Sequence, residues 1–437
     1  MREMKSSGVE WIGEIPVDWD TIKIKQLPDR SIENSFVDGD WIESPDISDE
    51  GIRYLTTGNI GDGKYKKQGN GFVTLEVFQN LNCKYAYPGD LVISRLNAPY
   101  GRSCILPDDY SEYVLAVDNV ILRTNNDKKY ICYITQCDGY QKSVEDNAKG
   151  TTMKRISRTN LGNVLLPFPP LSEQHRIADF LDEKCAKIDA VIEKQKQVIE
   201  KLREYKLSVI TEAVTKGLDP TVPMKDSGVE WIGEIPEDWS TQRMKSCLHE
   251  SMQYGALETG IEYSTDLPRY IRITDITADG NLKVDNRLSL PYNNAKNYML
   301  EDGDVLFARS GGTVGKTFIY KKEYGLCAFA GYLIKAKCNS DKLLPKFLYY
   351  YTLSNSYDLW KNYIFIQATI QNIGADKYSN MPIVVPTIIE QTEIIHYLDK
   401  QCYKIDLAMA KKQSIIEKLT EYKKSLIYEV VTGKKEV

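Results

Sequence analysis

MKSSGVEWIGEIPVDW, from Met4 to Trp19, returns as MKDSGVEWIGEIPEDW from Met224 to Trp239, with 14 of 16 residues identical at an offset of 220. Chance does not produce such a match, and an internal duplication decides the fold before any other feature. A second pair sets Glu173 to Thr215 against Glu390 to Thr432 at an offset of 217, sharing 22 of 43 residues, among them Leu181-Asp182, Lys187-Ile188-Asp189 and Ile199-Glu200-Lys201-Leu202. The chain is two copies of one unit. Between the matched ends the middles have diverged, apart from framework residues such as Arg53-Tyr54 against Arg269-Tyr270 and GDLVISR ending at Arg95 against GDVLFAR ending at Arg309. Near-identical frames around unlike middles describe constant parts that hold variable parts.

The second matched pair also carries the clearest periodicity. Leu181, Cys185, Ile188, Ile192, Gln195, Ile199, Leu202, Lys206, Val209 and Ala213 follow alternating steps of four and three, an a/d seam. Leu398, Cys402, Ile405, Met409, Lys412, Ile416, Leu419, Lys423, Leu426 and Val430 repeat it. Ser172 and Glu173, after Pro167-Phe168-Pro169-Pro170, mark the first helix start, and Gly217 with Pro220 marks its stop. Such a helix spans roughly 65 Å at about 1.5 Å per residue. The polar seam positions Gln195/Lys412 and Lys206/Lys423 are costly unless they face one another, meet solvent or fix register. We therefore expect the two helices to pair within the chain. Phe180, Val191, Val198, Tyr397 and Ile415 leave an apolar flank suited to another subunit's helices.

The variable middles read as strand and loop with some helix. Asp90 to Ser94 and Asp304 to Ala308 predict strands that leave a turn, part of a small sheet in each middle. The stretch around Tyr349-Tyr350-Tyr351 and DKKYICYITQCDGYQKSV predict helices. The fold class expected is α+β, with two tandem α/β domains separated by two long coiled-coil helices. Residues 1–168 form the first domain, 169–217 the first helix, 218–385 a linker and the second domain, and 386–437 the second helix.

The 437 residues carry 42% hydrophobic and 27% charged side chains, enough apolar material for several cores. No run approaches the roughly 20 apolar residues a bilayer span needs, so no membrane partner and a cytoplasmic location are expected. Nine Cys stand singly without a CxxC pair beside only three His, which disfavours structural zinc and predicts buried, reduced thiols. Ser310-Gly311-Gly312-Thr313-Val314-Gly315-Lys316-Thr317 approximates a phosphate-binding loop, but Ser stands where the first Gly belongs and strand-like Phe318-Ile319-Tyr320 follows instead of a helix. No nucleophile elbow, zinc-protease or dinucleotide motif accompanies it. The chain is expected to be non-catalytic by itself and to bind no metal.

The G-x-E-W-I-G-E-I-P-x-D-W boxes at Gly8 to Trp19 and Gly228 to Trp239, with the P-F-P-P-L-S-E-Q-H-R-I-A-x-F-L-D run from Pro167 to Asp182 and its looser copy from Pro386 to Asp399, resemble the specificity subunit of Type I restriction-modification systems. The resemblance covers essentially the whole chain. It implies two target-recognition domains, each reading one half of a split sequence in double-stranded DNA, and two long antiparallel coiled-coil helices that act as a spacer and dock two modification (methyltransferase) subunits. Restriction (helicase-nuclease) subunits complete such complexes, and S-adenosylmethionine, ATP and magnesium are expected on those partners, with no cofactor on this chain. A coiled-coil scaffold with protein-binding domains, or a nucleotide-dependent enzyme built on the Lys316 loop, are the alternatives.

A DNA-binding assignment sits oddly with a net charge of -5. Regional counts soften the objection, because residues 31–50 hold seven acids and no base, whereas residues 51–170 hold 15 bases against 11 acids. Base reading uses Arg, Lys, Asn and Gln, and phosphate contacts use basic side chains. Candidates are Lys64, Lys66 and Lys67, the flanking pairs Arg95 with Arg102 and Arg309 with Lys316, the basic run Lys149, Lys154, Arg155 and Arg158, then Arg269 and Arg272, and the amides Gln367 and Gln371. A solvated surface charge is the plainer explanation for each single basic residue, and a DNA or structural role stands level with it at the matched positions Arg95/Arg309 and Arg102/Lys316.

Overall fold

A computed structural model describes residues 2–150, 153–277, 280–366 and 372–437. The chain forms two compact units, the first built from residues 1–196 and 414–437, the second from 197–413. The 16-residue box becomes a short antiparallel ribbon in each. Met4–Ser6 pairs with Glu14–Pro16 in unit 1, and Met224–Asp226 pairs with Glu234–Pro236 in unit 2. Its apolar positions turn inward, so Ile12, Ile15 and Trp19, like Ile232, Ile235 and Trp239, are buried.

The box is near-identical in the two copies because it seats a helix. Trp19 Nε1 donates to Glu173 Oε2 at 2.9 Å, and Trp239 Nε1 donates to Glu390 Oε1 at 2.8 Å. Both carboxylates lie in the first turn of a long helix, Leu171–Lys216 and Ile388–Val431 respectively. The helix starts differ in detail. Pro170 O accepts from the Glu173 and Gln174 amides in the first, while Thr387 and Glu390 cap each other reciprocally in the second. Glycines in the left-handed region, Gly217 and Gly433, follow the two helices. A Cβ on Gly217 would lie 3.2 Å from the Trp239 ring, and one on Gly433 would lie 2.5 Å from Pro16 Cδ, so each box is clasped at both ends.

Each variable middle starts and finishes in one two-stranded ladder. Asp20–Lys23 pairs with Leu165–Phe168, and Ser240–Arg243 pairs with Pro382–Val385. Between these ends the sequence reading expected one small sheet, and each unit instead has two four-stranded sheets. In unit 1 the first runs Phe36–Asp38, Asn119–Leu122, Leu91–Ser94, Ser103–Ile105, and the second Phe72–Val73, Ile52–Leu55, Tyr113–Leu115, Tyr85–Ala86. Unit 2 repeats the plan with Gln253–Tyr254, Leu333–Ala336, Val305–Ala308, Thr317–Ile319, and with Ile261–Glu262, Leu288–Ser289, Arg269–Ile271, Cys327–Phe329. One parallel pair recurs in both second sheets, Ile52–Leu55 with Tyr113–Leu115 and Arg269–Ile271 with Cys327–Phe329. Strands of two to four residues are too short to show an alternating pattern, which is why the additional sheets left no periodic trace.

Each unit holds the start of one long helix beside the end of the other, the arrangement of an antiparallel pair. The seam residues Leu181, Ile188, Ile199, Leu398, Ile405 and Ile416 are buried, and Ile192, Leu202, Met409 and Leu419 are half-buried. Of the polar seam positions, the lysine pair Lys206/Lys423 finds partners across the seam. Lys423 Nζ meets Asp189 Oδ1 at 2.6 Å in unit 1, and its copy Lys206 meets Asp406 Oδ1 at 2.7 Å in unit 2. These partly exposed pairs contribute at most about 1 kcal/mol each, so their effect is on register more than on stability. Variable-domain helices anchor to the same long helices. Tyr133 and Lys129, on Lys128–Ile134, share Asp182, and Tyr350 and Lys346, on Pro345–Tyr351, share Asp399. All nine cysteines are buried and unbridged. Among the described residues no helix is long and apolar enough to cross a membrane.

Candidate nucleic-acid interface

In each unit the fully buried strand Leu91–Ser94 or Val305–Ala308 delivers an arginine to the sheet's end. The backbone there is the same twice. Arg95 N–H donates to Asp118 O at 2.8 Å and Arg95 O accepts from Ile156 at 3.1 Å, while Arg309 uses Tyr332 O at 3.0 Å and Ile373 at 2.8 Å. Strand register makes Asp38 the counterpart of Tyr254, and Asp118 that of Tyr332.

The side chains around the two arginines differ. Arg95 is only 4% exposed, and its guanidinium reaches Asp38 at 3.0 Å and Ile156 O at 3.2 Å. Burial pulls its pKa down, and the Asp38 carboxylate opposes that shift. Arg155 pairs with Asp118 at 2.6 Å, and Arg158 reaches Asp38 at 3.5 Å and Phe36 O at 2.8 Å. Three arginines thus share two carboxylates. In unit 2 the half-buried Arg309 lies over the Tyr254 ring at 5.0 Å, a cation-π contact in place of an ion pair. Tyr254 Oη accepts from the Ala375 amide at 3.0 Å, and Tyr332 is exposed.

The basic candidates divide by what already occupies them. Arg102 is buried and donates to five backbone carbonyls, those of Thr57, Ile60, Leu96, Asn97 and Pro99. It stitches two loops together, and its burial points to a structural role in place of the DNA contact expected from sequence. Arg95 and Arg269 are likewise buried, and Arg269, 9% exposed, donates to Lys283 O at 2.5 Å. Arg272 forks onto Asp275 at 2.7 and 3.0 Å. Lys64 bonds Asp189 on the long helix at 2.9 Å, Lys67 approaches Asp109 at 3.4 Å, and Lys154 meets Glu145 at 3.1 Å. Lys66, Lys149 and Lys316 are exposed. Gln367 and Gln371 lie outside the described residues. The Lys316 loop holds one short turn, Gly311–Thr313, and then enters the strand Thr317–Ile319. A strand and not a helix follows the loop, as the sequence spacing implied.

Sequence reasoning missed the aromatic and apolar members of this surface, Trp41, Tyr254, Leu257 and Tyr332. The signal was present only as glycines in matching places, Gly39 and Gly255, inside middles too diverged to align by eye.

A family model described as Type I restriction modification DNA specificity domain matches residues 16–201 and 253–417. Among named relatives, the Type I restriction enzyme EcoBI specificity subunit of Escherichia coli is 23% identical over 332 residues, covering 72% of this chain and 67% of that one. The StySPI specificity subunit of Salmonella potsdam is 20% identical over 309 residues, 70% of this chain and 65% of that one, so the chain spans about two thirds of these relatives. A chain solved in work on complex assembly and conformational transition of the type I R-M system superposes with a TM-score of 0.73 at 15% identity, covering 96% of this chain and 99% of that one, a likeness of fold. With two matched segments that together take in most of its length, the chain belongs to the family of Type I restriction modification DNA specificity domains.

Proposed function

We propose that this chain is the sequence-reading subunit of a Type I restriction-modification complex, with each variable domain reading one half of a split target in double-stranded DNA. The observation that carries the reading is the repeated backbone around Arg95 and Arg309, which holds unlike side chains in an otherwise duplicated unit. A frame that positions while its contents differ is what two different half-sites require. The long helices fix the distance between half-sites and dock two modification subunits, for which Val191, Tyr205, Ile415 and Tyr422 offer exposed apolar surface. The chain itself performs no chemistry. S-adenosylmethionine, ATP and magnesium act on the modification and restriction subunits, which also bring positive charge that this chain lacks.

The test is methylation of random duplex DNA by the chain co-expressed with its modification subunit. One split motif is expected, and exchanging residues 21–165 for those of another family member should rewrite one half only. A motif unchanged by the exchange defeats the proposal.

A further inference from the structure

Gly39 and Gly255 sit at equivalent points just past the edge strands Phe36–Asp38 and Gln253–Tyr254. Neither has room for a side chain. A Cβ on Gly39 would lie 2.3 Å from Ala116 O, and one on Gly255 would lie 2.4 Å from Ala330 O. The next residues make the same backbone bond, Asp40 N–H to Leu115 O at 2.8 Å and Ala256 N–H to Phe329 O at 2.9 Å. The chain is therefore forced along one path in both domains, and two residues beyond each glycine it presents a large apolar side chain to solvent. Trp41 is 67% exposed and Leu257 is 91% exposed.

Single exposed apolar residues need no explanation, but two at one framework position in variable middles that have otherwise diverged do. Leu257 stands beside the arginine slot of its unit. A Leu257 methyl occupies the space a Cβ on Gly331 would need, and Gly331 precedes Tyr332, whose carbonyl holds the Arg309 amide. Trp41 follows Asp38, the partner of Arg95 and Arg158, and its Nε1 donates to Glu43 Oε1 at 3.1 Å. Burial of such residues in a partner is favourable by the area they remove from water. In a DNA groove the matching apolar surface is the thymine methyl or an opened base step, and a neighbouring carboxylate such as Glu43 accepts from a cytosine amino group.

We propose that Trp41 and Leu257 are paired specificity residues, each packing against base edges of one half-site at the same place in its domain. This rests on the DNA-reading function proposed above. The experiment is a motif profile from random duplex DNA methylated by the co-expressed complex, for wild type, Trp41→Ala, Leu257→Ala and the conservative Leu257→Met. Leu257→Ala should lose discrimination about 5- to 100-fold at one or two base pairs of a single half-site, Trp41→Ala should do so in the other, and Leu257→Met should restore most of it. Because both side chains are exposed, melting temperatures should stay within about 2 °C of wild type. Unchanged profiles and rates in both alanine variants overturn the proposal, as does loss of co-purifying modification subunit, which would make this a protein contact. A wild-type complex that marks no split motif defeats the underlying function instead.

Discussion

Arg95 and Arg309 occupy one backbone position in two domains, yet the first is enclosed by carboxylates and further arginines and the second rests on a tyrosine ring. The neighbouring pair diverges further. Arg102 is consumed by five carbonyls, whereas its counterpart Lys316 is exposed. Equivalence of position in a duplicated frame therefore does not carry equivalence of role. What has been kept is the path of the chain, and what has been exchanged is the side-chain chemistry along it.

The comparison breaks most visibly if the frames themselves prove unequal. Trp19→Ala and Trp239→Ala each remove a buried indole and its bond to a long-helix carboxylate, so each should destabilise its unit by about 3–5 kcal/mol. Equilibrium denaturation, resolved by unit, should return similar losses, and a strong asymmetry would end the claim that the boxes do the same work. The variable slots should behave in the opposite way. Arg102→Ala leaves buried carbonyls without donors and should cost about 2–3 kcal/mol, while Lys316→Ala should stay within about 0.5 kcal/mol. Equal costs at the two positions would contradict the difference in burial.

A smaller effect sharpens the frame. Although burial opposes it, hydrogen bonds from Arg2 and Trp19 hold the Glu173 carboxyl below its usual range, and those from Trp239 and Thr387 do the same for Glu390. A depressed carboxylate pKa gives stability that is present above the unfolded value of about 4.3 and is lost as pH falls through the lower folded value. Thermal melts of wild type should therefore decline as pH drops below about 4, and the double variant Glu173→Gln, Glu390→Gln should show a shallower decline over the same window.

The box and the long helices were legible in the sequence because their signals are local, near-identity in one and a four-three period in the other. Even the odd seam lysines, Lys206 and Lys423, announced themselves as requiring a partner, and the structure supplies Asp406 and Asp189. The recognition slot was not legible in the same way. Arg95 could be matched to Arg309 from the strands that precede them, but whether a guanidinium turns inward depends on Asp38 and Ile156, 57 and 61 residues away in sequence. Trp41 and Leu257 went unseen because their meaning lies in exposure, which no periodicity reports.

The burial of every cysteine has a practical consequence. Burial raises the Cys83 and Cys327 thiols to about 11, and Cys104, Cys132 and Cys338 to about 12, so at neutral pH these five are held as unreactive thiols. A new cysteine at position 41 or 257 would stand out chemically against that silent background. A maleimide dye placed there could follow the approach of DNA to one domain at a time, in a protein that still carries all its native sulfur.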